Sequence, residues 1–590
     1  MTVQSTQLAG SDVFATVEIQ TQYCDLTYGA SPCTASLNNA NACFKTRNVL
    51  NDCQDIPNFD PSPKSFFFTE EGNSTIIDGY RPLIKSISFA PSKLPPRGGL
   101  ANVSKVKFTF IDEPDTDLDT DDNILDRSYI AREQGTFWGK FKARNSFLQG
   151  QIIKYTVTFL DSNGGLSTRT NIWQIESVSW ANKNGEVTII AKDPLNLTDA
   201  LNAKCPPVSR VKLYSALASG SHTLAVDQVV GLKSPDQYTY FRINDEIILI
   251  DGATLAPVGD HFEVDIVSPH GRGALGTVQA AHDAGAVVQE VARFDALSIN
   301  ATLLKILNNY SELFPDDLDS INWAAEIASW RASNLLTNYI SQPTDIKTLI
   351  SEICDQNQIM IWYDAQVAKI KLKAVAPELG TLKSYNDEND IWDLQVKEDD
   401  TLRLNSCSMY FTPRSWIGGS KSSDFENIAV SIDTLYYDLY GSPKERNLYS
   451  KWITSNAVAL STTGVLINRF RASPFRITFK MSYDNFASSR LNTGDNFRLT
   501  SSQFQNPTGA AYTPEFICIS TKYDKEMNLN VEAVAYSYFA GNNGPIGATS
   551  FDGQNYSTYI AANPENGGVL AWISQADGTM LNGDDSYYIT

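Results

Sequence analysis

Four of the eight cysteines in this 590-residue chain fall inside one short stretch. Tyr23–Gln54 reads YCDLTYGASPCTASLNNANACFKTRNVLNDCQ and carries Cys24, Cys33, Cys43 and Cys53, with eight, nine and nine residues between them. Small and turn-forming residues fill the gaps, so the segment reads as loops folding back around a centre. Four thiolates meeting at one point are the ligand set of a [4Fe–4S] cluster or a tetrahedral zinc ion. The spacing matches neither the short zinc-finger knuckles nor the tight ferredoxin run, so it leaves the metal open. Two disulfides are the plainer alternative, suited to a small secreted domain. The N-terminus MTVQSTQLAG lacks the charged start and apolar run of a secretory signal, which weighs towards a metal. Cys205, Cys354, Cys407 and Cys518 are scattered singly and read as small buried hydrophobes.

Other chemistry-bearing residues give weaker patterns. In the acidic run IDEPDTDLDTDDNILD, Asp115, Asp117, Asp119 and Asp126 stand at positions one, three, five and twelve of an EF-hand count. Thr120 replaces the glycine of the sharp turn and Asp replaces the closing Glu, so a solvated acidic loop is the expectation. All four histidines, His222, His261, His270 and His282, lie within 211–292 and form no helical ligand pair. His282 is either a catalytic or sugar-contacting residue or the clamp of a tight turn. No Ser or Cys nucleophile motif accompanies it, which favours the clamp. Arg469, Arg471 and Arg476 form the sharpest basic cluster, with ion pairing to the abundant acids as the expected role. There is no Rossmann, P-loop, H-E-x-x-H or G-x-S-x-G signature, and we expect no enzyme.

These residues must be held by β-rich elements. DVFATVEIQTQY at 12–23 alternates as a strand leading into the cysteine loops. LIKSISFA, VSKVKFTFI, QIIKYTVTFL and NIWQIESVSW with VTIIAKDPL, the last pair closed near Asn184–Gly185, supply strands for one antiparallel barrel or sandwich. Residues 211–292, starting just after a Cys–Pro–Pro break, read as a compact all-β insertion containing Arg272, His282 and Gly285. From 294 to 360 the apolar spacing turns helical, through DALSINATLLKILNNY, DSINWAAEIASWRASNLLTNYI and PTDIKTLISEICDQNQI. Thr344 is the expected N-cap of the last helix, and Trp323 and Trp330 share a core-facing stripe. IMIWYDA and VAKIKLKAV form a hairpin around Asp364. Strand patterns then return over 381–540, and 541–590 is rich in Gly, Asn, Asp and Ser yet holds Tyr556, Tyr559, Trp572, Tyr587 and Tyr588. Such aromatic content suits an arm that orders against a neighbouring subunit better than a plain linker.

Charged residues at 19% and aromatics at 11% describe a packed globular chain. A net charge of −20 argues against a general nucleic-acid binder, which needs a basic groove. No apolar run is long enough for a membrane-spanning helix, and a reducing cytoplasm is the expected site of synthesis and assembly.

The string C-x-x-x-YGASPC, then CFKTR, then a cysteine before Phe66–Phe68, resembles tail-tip or baseplate hub proteins of long-tailed, siphovirus-type bacteriophages. It is similar also to the hub proteins of gene transfer agents. GTFWGKFKARN, the RG-x-x-GT…H…G pattern of Arg272, His282 and Gly285, LINRFRASPFRITFK and GDNFRL extend the resemblance over most of residues 12–540. The resemblance implies a [4Fe–4S] cluster on Cys24, Cys33, Cys43 and Cys53, with zinc the alternative. It implies a mainly β, multidomain α+β chain with two tail-tube-like antiparallel β-barrels. On this reading residues 1–80 hold the cysteine quartet, 81–204 the first barrel, 205–292 the small all-β insertion, 293–380 helices with a hairpin, 381–540 the second barrel and 541–590 the arm. The expected role is a homotrimeric virion component at the tail tip, contacting the tail-tube or distal tail protein, fibre proteins and the tape-measure protein, with DNA only in passage. A metal-containing enzyme or a carbohydrate-binding adhesin of the cell envelope is the alternative.

Overall fold

The computed structural model describes residues 14–26, 30–35, 50, 53, 55–70, 79–115, 135–160, 166–180, 185–199, 203–229, 238–376, 382–419, 421–482, 491–506, 509–523, 528–536, 571–573 and 587–589. Seven strands, alternately apolar, close into a barrel: β1 (Phe14–Cys24), β2 (Pro61–Glu70), β3 (Arg81–Ala90), β4 (Lys105–Phe110), β5 (Ile152–Leu160), β6 (Leu166–Ser179) and β7 (Val187–Lys192). Their order is β1-β2-β3-β4-β7-β6-β5, and β5 returns to pair with β1. Every neighbouring pair is antiparallel except β2–β3, which is parallel. Closure leaves no unpaired edge. Inward residues such as Val17, Ile19, Phe68, Phe108, Ile153, Val187 and Ile189 are wholly or almost wholly buried.

A short helix, Phe137–Arg144, packs its aromatic side chains against the barrel core. Thr136 caps it, its hydroxyl accepting from the Gly139 amide at 3.3 Å while donating to Asp112 at 2.6 Å. Trp138 stacks on Phe68 at 5.3 Å and donates its indole N–H to the Ile111 carbonyl at 3.0 Å. Phe137, Trp138 and Phe141 are buried with it.

The barrel begins earlier in the chain than 81–204. β1 and β2 pair continuously from Thr16↔Thr69 to Cys24↔Pro61, so residues 25–60 are a long connection between two barrel strands and not a separate N-terminal unit. Pro61 and Pro63 in PSPKSFFFTE disguise β2 in the sequence, because proline is normally excluded from a paired strand.

The insertion leaves and rejoins the chain beside a helical body. Lys204–Cys205 pairs with Thr344–Asp345, and Ala292–Ser298 pairs with Leu335–Ile340. Between them lies a five-stranded antiparallel sheet with its own core, around Leu224, Phe241, Ile248 and Val264. The body contains helices Ile299–Tyr310, Ser320–Trp330 and Ile346–Asn357 and the hairpin Ile359–Asp364/Lys369–Ala374. Trp323 is fully buried and donates to the Ile370 carbonyl at 3.0 Å. Two local expectations change here. Leu335–Ile340 is a strand instead of a helix continuation, and Asp345, not Thr344, occupies the N-cap position of Ile346–Asn357. The Thr344 hydroxyl turns back to the Gln342 carbonyl at 2.9 Å.

The region expected as a second barrel divides in two. A three-stranded sheet (Ser406–Pro413, Phe425–Ile432, Glu445–Tyr449) and the helix Asn456–Phe470 join the same continuous core as the barrel and helical body, with Phe294 and Trp452 in edge contact at 5.4 Å. The other part is a six-stranded sheet in the order Lys383–Asn386, Asn496–Thr500, Glu515–Tyr523, Leu529–Ala535, Phe475–Met481, Ile391–Glu398. Among the described residues it is open, and its first pair is parallel, so they form one closed barrel and one open sheet where two antiparallel barrels were expected. Both edge strands still feed one core, through Tyr385 and Ile391 with Phe479, Phe497 and Phe516, as in a curled half-barrel. The two edge strands are joined by a turn in which the Asn386 amide donates to Asp390 at 2.8 Å. Gly494, at φ 89°, lies flat against the Trp362 ring and joins this sheet to the body; a Cβ there would come within 2.5 Å of that ring.

Candidate metal centre

The cysteine loop is anchored by the barrel wall. β1 ends on Cys24, and beyond it the Asp25 amide donates to the Asp60 carbonyl at 3.0 Å, extending the ladder one step. An aromatic chain links this point to the barrel core: Trp138 to Phe141 at 5.3 Å, Phe141 to Phe66 at 5.0 Å, and Phe66 to Tyr23 at 5.9 Å. Lys64 lies 4.6 Å over the Tyr23 ring, and burial together with nearby Arg144 holds its pKa below the usual lysine range.

Two tight turns present the next thiols. The Cys33 amide donates to the Ala30 carbonyl at 2.8 Å, and the Cys53 amide to the Leu50 carbonyl at 3.2 Å. Asp55 ties these turns together. Its carboxylate accepts the Thr34 amide at 2.8 Å and the Asn58 side-chain amide at 2.9 and 3.0 Å, while Asn58 N–H closes a turn on the Asp55 carbonyl at 3.0 Å. The Thr34 amide, then Asn58, holds the Asp55 carboxyl below the usual carboxylate range.

Cys24, Cys33 and Cys53 are half-buried thiols, not disulfides. Burial pushes the Cys53 thiol up, and proximity to Cys24, Asp55 and Cys33 adds to that, against the opposing Asp55 backbone N–H. Cys53 therefore lies within electrostatic reach of both Cys24 and Cys33. Cys43 lies outside the described residues. Among the described residues no group of three His, Cys, Asp or Glu side chains is drawn together closely enough to hold a metal ion.

The other candidates separate cleanly. Asp117, Asp119 and Asp126 lie outside the described residues, and Asp115 is buried, 3.6 Å from Arg81. Cys205, Cys354, Cys407 and Cys518 are buried thiols; burial pushes Cys407 up to about 11. Arg272 and His282 are brought together by Glu246, a residue the sequence patterns missed. Glu246 is fully buried and accepts from Arg272 Nε at 2.7 Å, Arg272 Nη2 at 3.0 Å, the Gly273 amide at 2.9 Å and the Ala280 amide at 3.0 Å, with His282 Nε2 at 2.8 Å. Burial alone would raise this carboxyl; the Arg272 guanidinium, the Ala280 amide, His282 and the Gly273 amide outweigh it and hold it at about 2. Arg272 Nη1 also donates to the Ala218 carbonyl at 2.9 Å, and His282 Nδ1 faces Asn244 at 3.3 Å. This arrangement clamps turns. The clue was an acid at the head of the apolar run EIILI. Of the basic cluster, Arg471 faces Asp433 at 3.7 Å and Arg476 faces Asp399 at 2.9 Å, but among the described residues Arg469 has no acidic partner in an ion pair.

No family model and no curated protein matches the sequence. Among solved structures, the fold is similar to a tail protein from Neisseria meningitidis, at 9% identity over 76% of this chain and 90% of that one, with a TM-score of 0.34. It is similar also to a prophage MuSo2 tail protein from Shewanella oneidensis, at 8% identity over 77% and 97%, with a TM-score of 0.33. A chain of a native gene transfer agent virion is similar at 12% identity over 65% and 81%, with a TM-score of 0.28.

Proposed function

We propose that this chain is a structural hub at the tip of a phage-type tail, joining tube to tip proteins and closing the tube until DNA is released. The cysteine segment and the strings that follow it carry the resemblance to such hubs. The physical observation supporting an assembly subunit is an exposed apolar strip. Of the twenty-four exposed large hydrophobics among the described residues, seven (Ile428, Val430, Ile432, Leu435, Tyr437, Leu439 and Tyr440) fall between 428 and 440. Surface apolar residues are normal when scattered; gathered on one strand and the helix after it, they mark a surface that is covered in the working particle.

Cys24, Cys33, Cys43 and Cys53 would hold a [4Fe–4S] cluster, with zinc as the alternative. A bound centre supplies cross-links that a loop of this composition cannot obtain from a core of its own, worth roughly 10 kcal/mol in small sites. Asp55 would hold the Cys33 and Cys53 turns in place, and the β1–β2 ladder would hold Cys24. The functional copy would be a homotrimer, contacting distal-tail, fibre and tape-measure proteins.

The test is one anaerobic preparation of the full chain, analysed for iron, zinc and inorganic sulfide and by native mass spectrometry. A trimer with iron and sulfide in equal amounts is expected. A strict monomer, or cysteines recovered as disulfides, defeats the reading.

A further inference from the structure

The helix Asn456–Phe470 delivers Arg469 into the joint between the central body and the six-stranded sheet. Arg469 is only 7% exposed, and among the described residues none of its three guanidinium nitrogens has a hydrogen-bond partner. The Phe470 and Tyr536 rings lie 4.7 and 5.4 Å from its guanidinium carbon. Rings attract the charge but supply no lone pair for its five N–H groups.

Two more arginines crowd the same place. Arg97 lies 5.6 Å from the centre of the same Phe470 ring and gives Nη2 to the Thr401 carbonyl at 3.1 Å, while its buried Nε has no acceptor. Arg446 places Nη2 on both oxygens of Asp355 at 2.6 and 2.8 Å, while its buried Nη1 has none. Five guanidinium nitrogens thus lack acceptors. Burial, and after it the charge of Arg446, lowers Arg97; burial brings Arg469 down to about 10, with Arg97 adding to the fall and Tyr536 opposing it. Arg469 remains a cation at neutral pH. Of the acids that act on Arg97, Asp355 is engaged by Arg446 and Asp399 by Arg476. Buried cations are ordinarily paired, and orphaned buried donors ask for a missing acceptor.

We propose that this joint binds a small inorganic anion, which accepts hydrogen bonds from Arg469 and is balanced by the charges of Arg97 and Arg446. The enclosure of Arg469 limits the ligand to a halide or a single tetrahedral oxyanion. Bound there, it ties together the turn at Arg97, the helix Asn456–Phe470 and the end of the six-stranded sheet at Tyr536. This inference does not depend on the tail-hub reading or on the metal.

The test is thermal unfolding of the full chain at constant ionic strength in sodium gluconate, sodium chloride and sodium phosphate. The unfolding temperature is expected to rise when chloride or phosphate replaces gluconate. Arg469→Met and Arg97→Met should each abolish that rise while preserving the folded circular-dichroism spectrum. A response to chloride assigns a halide, a response to phosphate alone an oxyanion; either supports the site. Should Arg469→Met fail to fold, Arg97→Met, with its partly exposed side chain, decides. Anomalous diffraction from bromide-soaked crystals with a peak beside Arg469 supports the site directly. Equal unfolding temperatures of the wild type in all three salts overturn the proposal, as does an anion response that survives in the variants.

Discussion

Glu246 shows how one side chain sets the acid tolerance of a module. Its folded pKa of about 2 lies below the ordinary 4.5, so its contribution is fully present above pH 4.5 and is lost as pH falls from there towards 2. The shift corresponds to something on the order of 3 kcal/mol. Glu246→Gln should remove this acid-side slope and, by leaving Arg272 buried without a counter-charge, destabilise the module by about 3–5 kcal/mol in urea titration. Asp55 has a different task, because it sits between two thiol-bearing turns and not inside a core. Asp55→Asn keeps the size but gives up the anionic acceptor for the Thr34 amide. Alkylation of Cys33 and Cys53 in the metal-free protein should then accelerate severalfold, measured by mass spectrometry. Unchanged rates would show that the turns hold without it. The RG-x-x-GT…H…G resemblance made Arg272 and His282 visible, but their shared partner lies 36 residues before His282, and no local pattern reports so distant a contact.

Among elements, the barrel was legible wherever apolar and polar residues alternate, as in Val187–Lys192. It was illegible where local chemistry opposed the fold. β2 contains prolines, and Leu335–Ile340 follows a helix whose apolar spacing carries on through it only when the turn at residues 331–334 is ignored. The helix Asn456–Phe470 contains Val458, Thr462, Thr463, Gly464 and Val465, all weak helix formers, and forms because it buries Val458, Leu466, Ile467 and Phe470 in the shared core. The helix Phe137–Arg144 depends equally on tertiary contacts. Trp138→Ala should cost about 3–5 kcal/mol and Thr136→Ala about 1 kcal/mol, read from denaturant midpoints. Gly494→Ala combines a positive φ with a clash against Trp362, and we expect faster amide exchange in the Asn496–Thr500 strand that follows. Exchange identical to wild type would mean that the sheet does not depend on this contact.

For the whole molecule, the open six-stranded sheet and the uncovered strip at 428–440 point the same way, since each leaves surface that a neighbouring subunit can cover. Val430→Glu with Leu439→Glu should leave the monomer folded and lower the trimer fraction at least tenfold in native mass spectra; an unaffected trimer would place the interface elsewhere. With a net charge of −20, association of like subunits should strengthen as salt rises from low ionic strength, through screening of repulsion. The position of the cysteine loop has a mechanical consequence. Residues 25–60 depart and return through two adjacent staves of the wall, at Cys24 and Pro61. Sliding those staves by a single step would exchange their inner and outer side chains. A clasp joining Cys24 to the far side of the loop would forbid that slide, so its formation and the sealing of the cylinder become a single maturation event, and stripping it would unzip the seam from the rim inward.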